Sequence, residues 1–257
     1  MPPRTVAATR YVTPLREGGS MPAVVEADDE GLYVLKFRGA GQGARALVAE
    51  WVAGEIGRAL GLPVPEIVFI DLDPELARTE PDPEIQDLIR ASAGLNLALD
   101  YLPGAVAFDP VAEKPDPDLA SQVVWFDAFV SNVDRTPRNT NLLVWHRKLA
   151  LIDHGAALYF HHGWDGGGAN AGNAFPLIKD HVLLPWATRI AQNDGALAAK
   201  LDEAKLAAIV ASLPDLWLQG PDAFADPDAQ RAAYVGYLTK RLAERERFVE
   251  EAIRARA

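Results

Sequence analysis

The chain has 257 residues, 49% of them apolar and 24% charged, enough to bury a substantial core in an ordinary globular composition. Its 25 Lys and Arg against 36 Asp and Glu leave a net charge of −11, which argues against a broad nucleic-acid footprint but leaves room for a local basic site for phosphates. The absence of Cys excludes disulfides, thiolate catalysis and Cys-ligated zinc. No apolar run reaches membrane-spanning length and no apolar segment follows Met1-Pro2-Pro3-Arg4, so a soluble, cytoplasmic protein without membrane insertion is expected.

The first third of the chain reads as short strands, over 8–15, 23–27 and 32–37. Turn-like Glu17-Gly18-Gly19-Ser20 and Asp28-Asp29-Glu30-Gly31 separate them. Residues 44–60 carry a helical pattern, with Val48, Val52, Ile56 and Leu60 in one i, i+4 row and Gly61-Leu62-Pro63 as the stop. Further strands are expected at 66–70 and 96–101. Past Pro103 the pattern turns helical. Asp116 can cap a helix with Pro117 at its first position, and Leu119, Val123, Phe126, Val130 and Val133 form an apolar stripe that leads to Asp134. Segments 142–145 and 149–152 form a hairpin flanking Arg147-Lys148. The five glycines within 163–173 predict a mobile or ligand-ordered stretch. Helices follow at 201–213 and, capped by Asp226, from Pro227 to about Arg254. The class is therefore α+β. A strand-rich lobe (1–101) and a helical lobe (102–257) are expected, joined near residues 100–103 with a cleft between them.

The chemistry concentrates in Asn132-Val133-Asp134-Arg135-Thr136-Pro137-Arg138-Asn139 and Leu151-Ile152-Asp153-His154-Gly155. Phosphoryl transfer asks a protein mainly for positioning and charge neutralisation: one carboxylate near the attacking atom and oxygen ligands for Mg²⁺. Asp134, five residues before Asn139, and Asp153, fourteen beyond it, can meet that need if the intervening hairpin returns Asp153 to Asn139. Lys36, in Tyr33-Val34-Leu35-Lys36-Phe37, would be costly to bury unpaired. Glu50, on a small-residue helix face with Ala46, Ala53, Gly54 and Gly57, can pair with it, and so can Glu55. Gly18-Gly19-Ser20 can close over phosphates with backbone N–H groups or form an ordinary hairpin. Gly39-Ala40-Gly41-Gln42-Gly43 fails the dinucleotide pattern and reads as a flexible strand–helix connection. His161, His162 and His181 lack metal-ligand spacing and suit loop and cap roles, and the six Trp read as core or lobe-interface residues.

Over about residues 11–187 the chain resembles the HipA-like kinases, a short bacterial branch related to the HipA toxin kinase. The resemblance lies in Glu17-Gly18-Gly19-Ser20, Val34-Leu35-Lys36-Phe37-Arg38-Gly39, the Glu50 helix ending Leu60-Gly61-Leu62-Pro63-Val64-Pro65, Asn132-Val133-Asp134-Arg135, Asn139-Thr140-Asn141-Leu142-Leu143 and Ile152-Asp153-His154-Gly155. Phosphoinositide kinases are similar across the Asp-Arg loop and the Ile-Asp-x-Gly turn. The resemblance implies a two-lobed protein-kinase-like fold, ATP with Mg²⁺ as cofactors, and phosphorylation of a protein Ser or Thr. It makes Asp134 the catalytic carboxylate, Asn139 and Asp153 the metal ligands, and Lys36, anchored by Glu50, the phosphate-holding lysine. Gly18, Gly19 and Ser20 become the phosphate loop, and the backbone of Asp100, Tyr101 and Leu102 meets the adenine. A small-molecule or lipid kinase and a nucleotide-binding pseudokinase serving as an interaction module are the alternatives. The full toxin kinase is considerably longer and the charge is acidic, so a toxin role, an antitoxin partner and DNA binding are not carried over. Residues 160–187 contain no Ser, Thr or Tyr, so a switch by phosphorylation of those side chains must lie elsewhere; Ser20 is the nearest candidate for autophosphorylation.

Overall fold

The structure, a computed structural model, describes residues 3–15, 21–41, 43–164, 168–218 and 224–257. Five strands, β1 (Thr5–Pro14), β2 (Ala23–Ala27), β3 (Leu32–Lys36), β4 (Ile67–Leu72) and β5 (Gly94–Asp100), close into a barrel in the order β1-β2-β3-β5-β4. The neighbours are antiparallel except β1 and β4, which run parallel from Thr5↔Phe69 to Ala7↔Asp71 and close the ring. Alternation along the strands sends Val25, Leu35, Val68, Ile70 and Ala98 into one apolar cluster, as a period of two requires.

Helix α1 (Gly43–Leu60) is buried at every residue from Leu47 to Gly54, which is the behaviour of a helix packed on more than one side. It joins the second cluster, shared with Phe69 and Leu97 of the barrel and with the helical half of the chain. Trp51 of α1 donates its indole N–H to Ser212 Oγ at 2.9 Å, and Phe69 sits between Trp51 and Trp217, with ring centroids 4.7 and 5.1 Å away. At Gly57 the chain comes close to α3 (Pro117–Val130): a Cβ there would lie 3.0 Å from Val64 Cγ2 and 3.4 Å from Phe126 Cζ. Asp116 caps α3 through the N–H groups of Asp118 and Leu119, with Pro117 in the first turn, as its sequence signal demands.

The rest comprises a small sheet of β6 (Val106–Ala107), β7 (Leu142–Trp145) and β8 (Lys148–Leu151), and helices α4 (Ile190–Ala198), α5 (Glu203–Ala211), α6 (Pro227–Ala243) and α7 (Glu246–Arg256). Helix α2 (Pro83–Ala91) lies within the strand half. Three details depart from the sequence reading. The β7–β8 turn is made by His146 and Arg147, with φ of 48° and 63°, so Lys148 is already in the strand and pairs with Trp145. The expected long terminal helix breaks at Glu244 and Arg245 into α6 and α7. Helices α2 and α4 are additional elements, α2 being capped by Asp82 with Pro83 in its first turn.

Candidate active site

Lys36 is the last residue of β3, and the backbone just beyond it is pinned. Arg38 N–H donates to Asn96 Oδ1 at 2.8 Å and Gly39 N–H to Ser92 Oγ at 3.0 Å. A Cβ on Gly39 would come within 2.9 Å of that hydroxyl and 3.0 Å of the Ala91 backbone, so the close approach needs glycine. The Lys36 side chain is only 12% exposed. Its ammonium donates to Glu50 Oε2 at 2.7 Å and to Asp153 Oδ1 at 2.5 Å. Burial opposes charge on Lys36 and on the fully buried Glu50, yet the opposite charges outweigh it. Lys36 therefore titrates above the ordinary lysine range and Glu50 well below the carboxylate range. Glu55, the competing partner, instead pairs with Arg58 at 3.1 Å.

Helix α3 ends at Ser131 in the left-handed conformation, φ 54°, and opens the loop that carries Asp134. Asn132 donates its amide to Asp127 Oδ1 at 2.9 Å and accepts from Asp134 N–H at 3.1 Å. Thr136 and Asn139 exchange backbone bonds of 2.9 and 3.1 Å, so the loop doubles back. Asn139 Nδ2 thereby reaches Asp134 Oδ2 at 2.7 Å, with Asn141 Nδ2 at 3.3 Å from the same oxygen. The hairpin returns the chain through Leu151 N–H to Pro63 O, 2.8 Å, and Ile152 N–H to Asn141 O, 3.1 Å. Asp153 follows with φ 53°, its side chain 44% exposed. Ser131, Asn141, Asp153 and Leu158 are all non-glycine residues at φ between 48° and 54°, a concentration of unfavourable backbone around one site.

Beneath the loop lies a cluster that the motif reading passes over. Asp127 of α3 is fully buried. Its Oδ2 accepts from Arg135 Nε at 2.6 Å and from His181 Nε2 at 2.9 Å. Because His181 Nδ1 accepts the Leu183 N–H at 3.0 Å, Nε2 carries the ring proton. Arg135 also donates to the carbonyl of Asn141 and, at 3.3 Å, to that of Ile152, and Val182 N–H returns to Arg135 O at 3.0 Å. Burial would raise Asp127, but Arg135 and His181 hold it well below the usual carboxylate range. The signal in the sequence is the carboxylate itself, set between Phe126 and Ala128 in an apolar run: a buried charge demands partners.

The other expected site residues fall as follows. Gly18, Gly19 and Ser20 lie outside the described residues; their flanks pair as a hairpin, Pro14 with Ala23 and Leu15 N–H with Pro22 O at 2.7 Å. At the connector, the N–H groups of Asp100 and Tyr101 are spent on Glu66 O (2.8 Å) and Leu32 O (2.9 Å). Among the described residues the Leu102 N–H has no backbone acceptor, while its carbonyl accepts from the Ala105 N–H at 3.1 Å and that of Pro103 from Trp145 Nε1 at 3.0 Å. His161 packs its Nδ1 3.0 Å from Tyr234 OH, and burial pushes its pKa down to about 3. Gly43, at the end of the glycine-containing connection, takes φ 67°. Together with Lys36, Phe37, Ala40, Ala46, Leu47, Asp153 and Gly155 it lines a small cleft at the start of α1. No group of three or more His, Asp or Glu side chains gathers into a metal cage among the described residues.

A family model described as HipA-like kinase matches residues 9–250. None of the curated proteins compared matches the chain. Among solved structures the fold is similar to that of the proinflammatory kinase CtkA of Helicobacter pylori, with TM-score 0.55 and 15% identity over 99% of this chain and 98% of that one. It is also similar to the Golgi casein kinase, in a structure with Mn/ADP bound, with TM-score 0.50 and 12% identity over 95% of this chain and 72% of that one. At such identities these likenesses speak for the fold, while the family match runs over nearly the whole sequence. The protein belongs to the HipA-like kinase family, and its enzyme class is that of a kinase.

Proposed function

We propose that the protein is an ATP- and Mg²⁺-dependent phosphotransferase that moves the γ-phosphoryl group onto a hydroxyl, and that the acceptor is a Ser or Thr of a protein. The observation that carries this reading is the lysine held between two carboxylates, Glu50 at 2.7 Å and Asp153 at 2.5 Å, in a cleft at the start of α1. Family membership supports the protein acceptor. In this reading residues 1–101 act as one lobe, residues 102–257 as the other, and the nucleotide enters between them with its adenine at Leu102. A cytoplasmic location, where ATP is plentiful, suits it; among the described residues no helix is long and apolar enough to cross a membrane.

The donor set fits Mg²⁺. Asn139 gives its amide nitrogen to Asp134, leaving the amide oxygen for the cation, and Asp153 offers a half-exposed carboxylate. Mg²⁺ is commonly held by one or two protein oxygens together with substrate phosphates rather than by a full protein cage. Bound there, the ion would neutralise the charge that develops on the phosphates. Lys36 supplies a positive charge fixed by Glu50, so little reorganisation is needed when phosphates arrive. Asp134, braced by Asn139 and Asn141, orients the acceptor hydroxyl and accepts its proton. The test is transfer of ³²P from γ-labelled ATP to a mixture of candidate protein acceptors. Label that needs Mg²⁺ and is lost in Asp153→Ala supports the reading; label taken up only by small-molecule hydroxyls would move the acceptor class, and no transfer with any acceptor would overturn it.

A further inference from the structure

Glu50 is held from two sides, and only one of them is Lys36. His154 is fully buried, and its Nδ1 lies 3.3 Å from Glu50 Oε1, the oxygen that Lys36 does not use. The ring is set edge-on to Phe126 of α3, with centroids 5.8 Å apart and planes at 72°. Its Nε2 has no hydrogen-bond partner among the described residues and no exposure. An imidazole so placed can satisfy the carboxylate only by carrying its proton on Nδ1, which makes it a donor to Oε1 and leaves Nε2 as the idle lone pair.

We infer that His154 is a positioning residue for the Glu50–Lys36 pair: its Nδ1–H fixes the Glu50 carboxylate so that Oε2 faces Lys36. The inference rests on the phosphotransferase reading above. The chain offers the coupling through one peptide unit, since His154 directly follows Asp153, the other carboxylate on Lys36. The end of the hairpin that carries a metal ligand therefore also grips the carboxylate of α1. When Asp153 is drawn to a cation, Glu50 alone keeps Lys36 in place, and a carboxylate free to rotate in an apolar site would hold it less well. A neutral donor suffices for this, so no change of charge on His154 is invoked.

The test compares His154→Phe, which keeps an aromatic ring but removes the donor, with His154→Asn, whose amide nitrogen sits near the place of Nδ1. The readouts are Mg²⁺-dependent turnover of ATP to ADP, its separate kcat and KM, and the melting temperature. A lost hydrogen bond to a charged group predicts that H154F lowers kcat/KM by about ten-fold and also lowers the melting temperature, and that H154N recovers turnover to within about two-fold of wild type. Wild-type turnover in H154F, or equal losses in both variants, would overturn the inference. Lys36→Ala run in parallel separates the two levels: if it also turns over normally, the phosphotransferase reading fails, and if it alone is inactive, only the role of His154 fails. Should H154F not fold, the wild-type protein decides. In ¹⁵N spectra of labelled histidine, the signal missing from H154N must report the Nδ1–H tautomer, and an Nε2–H tautomer would contradict the inference.

Discussion

In the proposed phosphotransferase reading Asp134 is the residue on which the chemistry turns, and its environment separates its proposed role from those of its neighbours. It shares one oxygen with Asn139 and Asn141 but touches neither Lys36 nor Glu50 in any bond described. Asp134→Ala is therefore expected to lower kcat by roughly 10²–10⁴, the usual contribution of a positioned acid–base group, while Mg²⁺-dependent nucleotide binding survives. Steady-state kinetics beside a nucleotide titration would show it, and near wild-type turnover would remove Asp134 from the mechanism. Buried titrating groups make a second prediction. The folded state keeps His161 neutral down to about pH 3, whereas the unfolded chain takes up its proton near pH 6.5. A depressed histidine pKa gives stability that is whole above about pH 6.5 and drains as pH falls toward 3. Glu50 and Asp127, depressed carboxylates, add their losses only below about pH 4, where their unfolded counterparts protonate. His161→Phe should thus remove about one proton from the pH slope of unfolding free energy between about pH 6 and 4, read by urea unfolding across that range. An unchanged slope would mean that His161 does not titrate as its burial demands.

Among the elements, α3 organises the site, and Arg241 of α6 finishes α3. The last carbonyls of a helix lack partners within it. Here the buried guanidinium donates to Ala128 O and Phe129 O, both at 2.6 Å, and to Ala171 O and Asn173 O at 2.8 and 3.1 Å. One side chain thus ties the helix that leads into the Asp134 loop to the glycine-containing turn after Asp153. Arg241→Met keeps length and apolar contact but strands those carbonyls, so a loss of about 3 kcal/mol or more is expected; urea unfolding measures it, and a loss below about 1 kcal/mol would show the carbonyls finding other partners. The strong local signals made several elements legible. Asp116-Pro117 before an apolar stripe gave α3, and Gly61-Leu62-Pro63 gave the end of α1. The equally good Asp82-Pro83 signal, with Ile85, Leu88 and Ile89 spaced for a helix, belongs to α2, which went unread because the segment is short and acidic. The break at Glu244-Arg245 has no Gly or Pro to mark it; tertiary packing of Phe248 on Trp125 and Phe129 sets the new helix direction.

At the scale of the whole molecule, the sequence made the α+β class and the polar residues of the candidate site readable, because Lys36, Glu50 and Asp153 stand out beside apolar neighbours and Asp134 and Asn139 are marked by their spacing in a polar loop. It did not reveal that β1 and β4 pair in parallel to close a barrel, since that contact joins residues more than sixty apart and leaves no periodic trace. Nor did it reveal the joining of Asp127, Arg135 and His181, whose partnership exists only once the chain has folded. The choice between Glu50 and Glu55 needed the fold too: both are acidic helix residues, and only the face of α1 turned to β3 decides. The two apolar clusters take opposite faces of the same strands, Ile67 and Phe69 of β4 joining one and Val68 and Ile70 the other. The central claim, a nucleotide–Mg²⁺ site built from both halves of the chain, is tested most directly by thermal unfolding of wild type and Asp153→Ala, each alone, with ATP, and with ATP plus Mg²⁺. A ligand at a hundred times its dissociation constant stabilises the native state by about 2.7 kcal/mol, a readily visible shift. The account predicts a large upward shift in wild type that needs ATP and Mg²⁺ together and is lost in Asp153→Ala. The same shift without Mg²⁺, or undiminished in Asp153→Ala, would contradict it.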